Sequence, residues 1–530
     1  MSKVIVIGAG LGGLTCGYIL QKNGYDVTVL DQGTQIGGCL QCFYRKGAKF
    51  ETGMHFIGSA LPGQTMHSVM KYFDLCDDVV LSPLDTKAYN TVALEGQKFC
   101  FPNGKEAFVE QMSSYFPKEK DALHRYVDII DRISSASTLN SLTSEQRDLA
   151  ANTEYQTRSI NEVLDEIFKD ELLKNVLAGD LPLYSAELDK TPFSQHAFIM
   201  DFYNQSAFRI AGGSDSIAFS LADSIRRMGG QVLSRKKVVK VHCDDVKATG
   251  VETADEQFYP ADYIISTVHP NRLLEMLDTK LIRPAFRNRI NSIPQTAGGF
   301  ALYVKFKDGV MPYMNTNYYG YRYGTPWNCE NYRPEEWPKG FLYMHMCHEK
   351  DPRWAKSGVV LSYMNMDDVA AWKGSAIGRR GEAYEAFKRE HAERLMAEVE
   401  KHQPGFTAAV ETYYTSTPLT YLDYTGTEDG SMYGVAKDIS LGAAGRVPYR
   451  TKVPNLLLAG QNVNSHGMLG VIVGTIVTCS ELVPAETIYR QIKESDTLYN
   501  GKECSNNWRR TWWPLYRSNP FQGGCEGNRN

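Results

Sequence analysis

Residues 3–31, KVIVIGAGLGGLTCGYILQKNGYDVTVLD, decide the fold. An apolar run, Lys3 to Ile7, enters glycines 8, 10 and 13 at G-x-G-x-x-G spacing, and a helical pattern follows from about Gly12 to Asn23. Each glycine has a task in that context. Gly8 permits a tight turn, Gly10 lets the main chain approach a pyrophosphate, and Gly13 lets the helix pack closely on the strand. The free N–H groups of the helix start then face the phosphates. A second strand, Asp26 to Leu30, ends at Asp31, whose carboxylate accepts from a ribose 2′-hydroxyl and repels a 2′-phosphate. The ordered set of strand, glycines, helix, strand and acid reads as a site for FAD or NAD and not NADP.

Outward from this stretch, Gly37 and Gly38 follow soon after the acid, and an extended run, FETGMHFIG, spans Phe50 to Gly58. A plain NAD domain would pass directly to another βαβ unit. Further blocks are Ala211-Gly212-Gly213, Ser266-Thr267-Val268-His269-Pro270 and LLLAGQNVNSHGMLGVIVG, Leu456 to Gly474. Taken with Cys39 and Thr52-Gly53-Met54-His55, this ordered set resembles the FAD-dependent phytoene desaturase, carotenoid isomerase and retinol saturase group of the amine oxidase superfamily. Within that group it most resembles the retinol saturases, and the resemblance extends to about residue 490.

The resemblance implies an α/β fold: a discontinuous Rossmann-like FAD-binding domain, an inserted antiparallel-sheet substrate domain and a helical cap. The expected division is 1–85, 196–270 and 426–490 for the cofactor domain, 86–195 for the helical cap, 271–425 for the substrate domain and 491–530 for a tail. It also implies that Val238 offers main-chain contacts to the adenine, and that Gly460, Gln461, Gly470 and Val471 meet the ribityl chain and the pyrimidine end of the flavin. Two departures stand out. Cys39 replaces an arginine common in the family, and Gln461 replaces an acid, so each position loses a charged contact.

The pattern agrees with this division. Apolar residues at three and four spacing, as in Ala122-Leu123-Tyr126-Val127-Ile130 and Ile160-Val163-Leu164-Ile167, predict helices between Lys105 and Leu183. A helix from Asp215 to Met228 leads into strands Gln231 to Val241 and Gly250 to Thr253, with Val239 and Val241 alternating. Apolar runs at Gly298 to Phe306, Gly340 to Met346 and Val359 to Met366 predict the substrate-domain sheet. Between the first two lie Tyr313, Tyr318, Tyr319, Tyr321, Tyr323, Trp327 and Tyr332, aromatic walls suited to a flat conjugated ligand.

Composition excludes other classes. The 530 residues carry a net charge of −4 and a pI near 6.3, with no clustered basic face for nucleic acid. A strand begins at residue 3 without a basic and apolar leader, so the chain is expected in the cytoplasm or peripherally on the cytoplasmic membrane face. Histidines and cysteines lack zinc-site spacings, so no metal is expected. Eleven scattered cysteines fit reduced thiols. Cys39 and Cys42 form a C-x-x-C beside the expected flavin, which opens an alternative as a flavin-linked dithiol oxidoreductase. Against it, no second G-x-G-x-x-G follows a strand. The tail, Trp508 to Arg517, interleaves tryptophan with arginine, a composition for docking on the protein or at a membrane interface.

Alkene saturation takes a hydride to one carbon and a proton to the other, so a proton donor belongs near the flavin. His55 is the first candidate, with Met54 beside it against ring or substrate and His466 as the reserve. The expected substrate is an apolar polyene or isoprenoid lipid. Desaturation and cis-trans isomerisation use the same flavin geometry, and a polyene-binding or delivery protein with structural FAD is a further alternative. Electrons would come from free NAD(P)H or from another protein. Oligomeric state is not legible.

Overall fold

The strand Lys3–Ile7 is buried on both faces, as its unbroken apolar run requires, and it forms the centre of a parallel sheet. The computed structural model describes residues 1–136, 149–348 and 350–499. In the central sheet the order is Gln231–Leu233, Asp26–Leu30, Lys3–Ile7, Tyr263–Ser266, Leu456–Leu458, with every neighbouring pair parallel. Three segments far apart in sequence therefore build one layer. Helices Leu11–Lys22, Asp215–Arg227 and Gly467–Cys479 cover one face through Leu14, Ile217, Leu221, Ile472 and Ile476 against Val4, Val6 and Val29. On the other face Ile5 and Ile7 meet Val238, Val241 and Val251 of a small antiparallel sheet. The protein is thus an α/β fold.

The second large sheet has seven strands in the order Val410–Ser416, Gly299–Phe306, Ala355–Tyr363, Gly340–Cys347, Asn317–Tyr321, Asn90–Leu94, Gln97–Phe101. All its pairs are antiparallel except Asn317–Tyr321 with Asn90–Leu94. The hairpin Asn90–Phe101 thus lies in the stretch read from sequence as helical cap, yet it extends this sheet. Side chains alternate across the strands. Phe300, Leu302, Val304, Tyr343 and Val360 pack under helix Glu382–His402. Ala301, Tyr303, Tyr319, Leu342, Val359 and Leu361 face the other way, toward the helical layer.

That layer contains Lys105–Tyr115, Lys120–Ser135, Ile160–Ile167, Glu171–Leu177 and Phe193–Gln205. The helix Ile160–Ile167 buries Ile160, Val163, Leu164 and Ile167, the stripe its spacing predicts, and Ser159 with Glu162 closes a capping box at its start. Elsewhere the local pattern misleads. Gln231 to Val241 is two strands, broken around Arg235 at φ 59°, and the second belongs to a different sheet. A bulge between Val238 and Lys240 also upsets the expected alternation, so Val238 and Val241 are buried and Val239 is exposed.

No described helix is long and apolar enough to cross a membrane. The tryptophan- and arginine-rich segment 508–517 lies outside the described residues.

Three histidines are buried in these layers, the third of them, His466, at the wall of a cavity. His196 lies between the hydroxyls of Tyr126 and Tyr184, 2.7 Å from each, so one tyrosine donates and the other accepts. Burial pushes His196, His345 and His466 down to about 3, aided by Arg209 at His345 and by Lys437 at His466. An unfolded chain protonates each near pH ~6.5, so below that pH the unfolded state binds protons the folded state refuses. Stability is therefore lost on acidification, by about 1.4 kcal/mol per pH unit for each histidine down to pH ~3. Asp180 acts in the opposite sense, because burial pushes its carboxyl up to about 7 and the folded state holds that proton more tightly. Calorimetry from pH 7 to pH 5 is expected to show a falling Tm. Asp180→Asn should make the fall steeper, and a flat profile would contradict the neutral burial.

Candidate active site

A cavity of ≈ 2150 Å³ runs from the glycine turn at Gly8–Gly12 to the helix-facing side of the seven-stranded sheet. Pockets for one ligand occupy roughly 300–1,000 Å³, so this volume has room for a dinucleotide and a second elongated molecule. At the dinucleotide end Gly8 turns at φ +101°, a conformation other residues rarely adopt. A Cβ on Gly13 would stand 1.8 Å from the Gly8 carbonyl oxygen, the close helix-to-turn contact its place in the pattern requires. A Cβ on Gly12 would come within 3.0 Å of Gly460 Cα, which joins the first and last segments of the cofactor domain. Gly37 pairs with Gly10 beside this turn, and Gly38 closes on it.

Asp31 lines this end and braces it. Its Oδ2 accepts from the Ala9 N–H at 2.7 Å and its Oδ1 from the Gly33 N–H at 2.7 Å, which fixes the carboxylate where a ribose would lie. Val238 also lines the cavity, as do Gly53, Met54 and His55, and Gly460, Gln461, His466, Gly470 and Val471. Of the cofactor-binding and catalytic candidates, Gly13 alone lies beneath the lining.

The fit to FAD is tested by the two helix starts that open here. Leu11–Lys22 begins at Gly10 and Gly467–Cys479 at His466, and neither start is capped by a side chain or has an acid in its first turn. Such ends carry unsatisfied N–H groups and partial positive charge, and both suit phosphate and an electron-rich flavin pyrimidine. A close approach opens the second of them. Gly470 packs against Ser465, where a Cβ would meet Ser465 Cβ at 2.7 Å.

His55 sits on the cavity wall with Nδ1 3.3 Å from Glu51 Oε2. Glu51 is buried and its other oxygen accepts from the Ser214 N–H at 3.1 Å, so the carboxylate is fixed and in turn orients the imidazole. Arg209 donates to the His55 carbonyl at 3.4 Å and holds the segment from behind. His466 differs: its ring lies 4.6 Å from that of Tyr433 and, being neutral, it is a weak acid. Lys437, which no spacing in the sequence marks, also lines the cavity and donates to the Asn462 carbonyl at 3.3 Å. Burial, then the nearby Arg446, lowers it to about 8, within reach of proton exchange near neutral pH.

The aromatic wall comes from other residues than expected. Phe198, Tyr203, Tyr303, Tyr421 and Tyr433 line the cavity, whereas none of the tyrosines and tryptophans between Tyr313 and Tyr332 does. Tyr318 faces the opposite core, Tyr319 and Tyr321 are covered by helices, and Tyr323 is exposed. The cysteine pair is equally unlike a redox dithiol. Burial raises Cys39, and burial with Glu51 pushes Cys42 up to about 11, so neither supplies much thiolate. Among the described residues no cluster of histidine, cysteine or acid could hold a metal.

The sequence pattern of the flavin containing amine oxidoreductases matches residues 11–477. Human all-trans-retinol 13,14-reductase is 26% identical over 555 positions, covering 95% of this chain and 89% of the human one. The lycopene-forming phytoene desaturase of a Paracoccus species is 23% identical over 506 positions, covering 90% and 96%. An oxidoreductase structure from Methanosarcina mazei superposes with a TM-score of 0.62 at 15% identity, over 90% of this chain and all of its own.

Proposed function

The chain belongs to the flavin containing amine oxidoreductase family and is an FAD-dependent oxidoreductase; from that premise we propose that it saturates one double bond of a long apolar polyene of retinoid or carotenoid type. One observation carries the reading: the dinucleotide end and the aromatic, apolar end belong to one continuous cavity. The similarity to a retinol reductase and a phytoene desaturase supports the same substrate class.

Gly8, Gly10, Asp31, Gly37, Gly38 and Val238 would hold the adenosine diphosphate part, and Gly53, Gly460, Gln461, Gly470 and Val471 the flavin part. Bound FAD supplies hydride exchange with a substrate carbon. Everything else falls to the chain. Phe198, Tyr303, Leu342, Leu361 and Tyr421 lay the polyene along the sheet and keep water out. His55, oriented by Glu51, gives the proton to the second carbon, and Met54 fills the space beside it. Electrons enter from NAD(P)H or a redox partner, and an apolar substrate arrives by peripheral contact with a membrane.

The test is an anaerobic reaction of the flavin-reduced protein with candidate polyenes, followed by flavin absorbance and product mass. Reoxidised flavin with a product heavier by two hydrogens is expected. In a parallel reaction begun with oxidised flavin, a product lighter by two hydrogens, with the flavin reduced in step, would make the enzyme a desaturase. An isomer of unchanged mass would make it an isomerase, and no response to any polyene would overturn the substrate class.

A further inference from the structure

The second helix start on the cavity wall carries more donor groups and more positive charge than its main chain alone supplies. His466 stands at the head of Gly467–Cys479, lines the cavity, and makes no side-chain bond to the free N–H groups behind it. The residue is only 7% exposed, and its Nδ1 has no hydrogen-bond partner among the described residues. Its Nε2 lies 3.5 Å from the side-chain nitrogen of Gln195, which can only donate. Nε2 therefore accepts, and the proton of the neutral ring sits on Nδ1. A buried N–H with nothing to bond thus stands at the cavity wall, and such a group calls for a partner.

Lys437 reaches the same place from another segment. The chain from Ser431 to Val435 runs antiparallel beside Gln295 to Gly298, and the Val435 N–H is held by Asn462 Oδ1 at 3.0 Å, which docks it on the turn that leads to His466. Tyr433 then lies with its ring 4.6 Å from that of His466, and Lys437 donates to the Asn462 carbonyl at 3.3 Å. Among the described residues no acid pairs with Lys437. The adjacent Asp438 commits Oδ1 to the N–H and hydroxyl of Ser440, at 2.8 and 2.6 Å. Gln461 on the same wall, where the resembled family often has an acid, adds no negative charge. The charged neighbour that acts on Lys437 is another cation, Arg446, yet with its amine at about 8 the ammonium form still prevails at pH 7. A partly buried cation without counter-charge is an arrangement that an anion would relieve.

We propose that the Lys437 ammonium and the His466 Nδ1–H, set beside the start of helix Gly467–Cys479, form a site for the negative charge that reduction places on the pyrimidine edge of the flavin. This rests on the placement of the flavin part against Gly460, Gln461, Gly470 and Val471, and it adds two side chains of this chain to the helix end that the family resemblance implies. Hydride transfer brings two electrons and one proton to N5, and the charge left over rests on N1 and the adjoining carbonyl oxygen. An ammonium and an N–H aimed at developing charge stabilise it without reorganising, and charge beside N1 tunes the ring. The consequence is a flavin of raised potential, readily loaded by its reductant.

Sulfite reports this charge without any substrate. Its sulfur lone pair forms a bond to N5 of the oxidised ring, and the displaced ring electrons come to rest on the same pyrimidine edge. The experiment measures the Kd for sulfite on the FAD-loaded protein, by bleaching of the flavin absorbance, and the two-electron potential, by equilibration with a reference dye. Lys437→Met is expected to weaken sulfite at least tenfold and to lower the potential by at least about 30 mV, the same factor for a two-electron couple. Lys437→Arg should restore most of both. His466→Phe, which keeps a ring against Tyr433 but no N–H, should move both in the same direction by several-fold. Sulfite affinity and potential unchanged in the Met and Phe variants would overturn the proposal. Weakened FAD binding in Lys437→Met with both readouts unchanged would also overturn it and set Lys437 against the pyrophosphate. Neither readout uses a polyene, so the result stands apart from the substrate reading, whereas a protein that takes up no FAD would sink the cofactor placement and this proposal together.

Discussion

Gly13→Ala is expected to yield protein without bound flavin and destabilised by at least about 3 kcal/mol, the upper range for overpacking. The added methyl would stand 1.8 Å from the Gly8 carbonyl oxygen and 3.3 Å from Thr267 Oγ1. Helix Leu11–Lys22 has nowhere to retreat. Thr15 bonds Thr475 across the helix pair at 3.1 Å, a Cβ on Gly17 would stand only 3.0 Å from Val29 and 3.1 Å from Ile225, and residues Gly12 to Leu20 are buried. The helix start would have to leave the turn that receives the phosphates. Flavin absorbance per mole of protein and thermal unfolding report the two effects separately. Gly24→Ala is the control: nothing lies within 4 Å of its Cβ, so only the strain of its φ of +88°, about 1 kcal/mol, is expected. Retention of full flavin by the Gly13 variant would show that the turn is not the phosphate cradle.

The second large effect belongs to His55. Replacing it by glutamine keeps a polar side chain beside Glu51 but removes the transferable proton, and general acid catalysis is worth roughly 10²–10⁴-fold. Polyene reduction should slow by that factor with flavin content and substrate binding unchanged. His466→Gln should have a much smaller effect on the same step, since burial keeps His466 neutral. Rapid mixing of the reduced protein with substrate isolates this step. An unchanged rate in the His55 variant would transfer the proton-donor role to another group on the wall, and Lys437 would be the first to examine.

The parts legible in the sequence are those whose physics is local. The glycine turn, the acid at the end of the second strand and the apolar stripe Ile160-Val163-Leu164-Ile167 each involve residues close along the chain, so their spacing carries the geometry. Features decided across the fold were not legible. The hairpin Asn90–Phe101 joins a sheet whose other strands begin two hundred residues later, and nothing in its own pattern names that partner. The tyrosines after Tyr313 have the right chemistry for a ligand wall. Strand alternation and the helical layer, however, turn the lining over to Tyr203, Tyr303, Tyr421 and Tyr433. Val239 was misread because a bulge breaks the period of two on which the reading depended. Lys437 and Asp180 carry no mark in their own stretches of sequence, and only three-dimensional burial sets them apart.

The central sheet ends at Leu456–Leu458, and the helix after it supplies the second uncapped terminus. This has a bearing on how the protein is born. A nascent chain reaches the ribosome exit with its fingerprint turn complete by Gly38, yet the strand that flanks Tyr263–Ser266 arrives more than four hundred residues later. At about 5–20 residues per second, that is an interval of tens of seconds in which apolar strand edges stand open. A flavin held between the first and last segments would bind only once the last has been made, and from then on it would stabilise the finished chain by mass action.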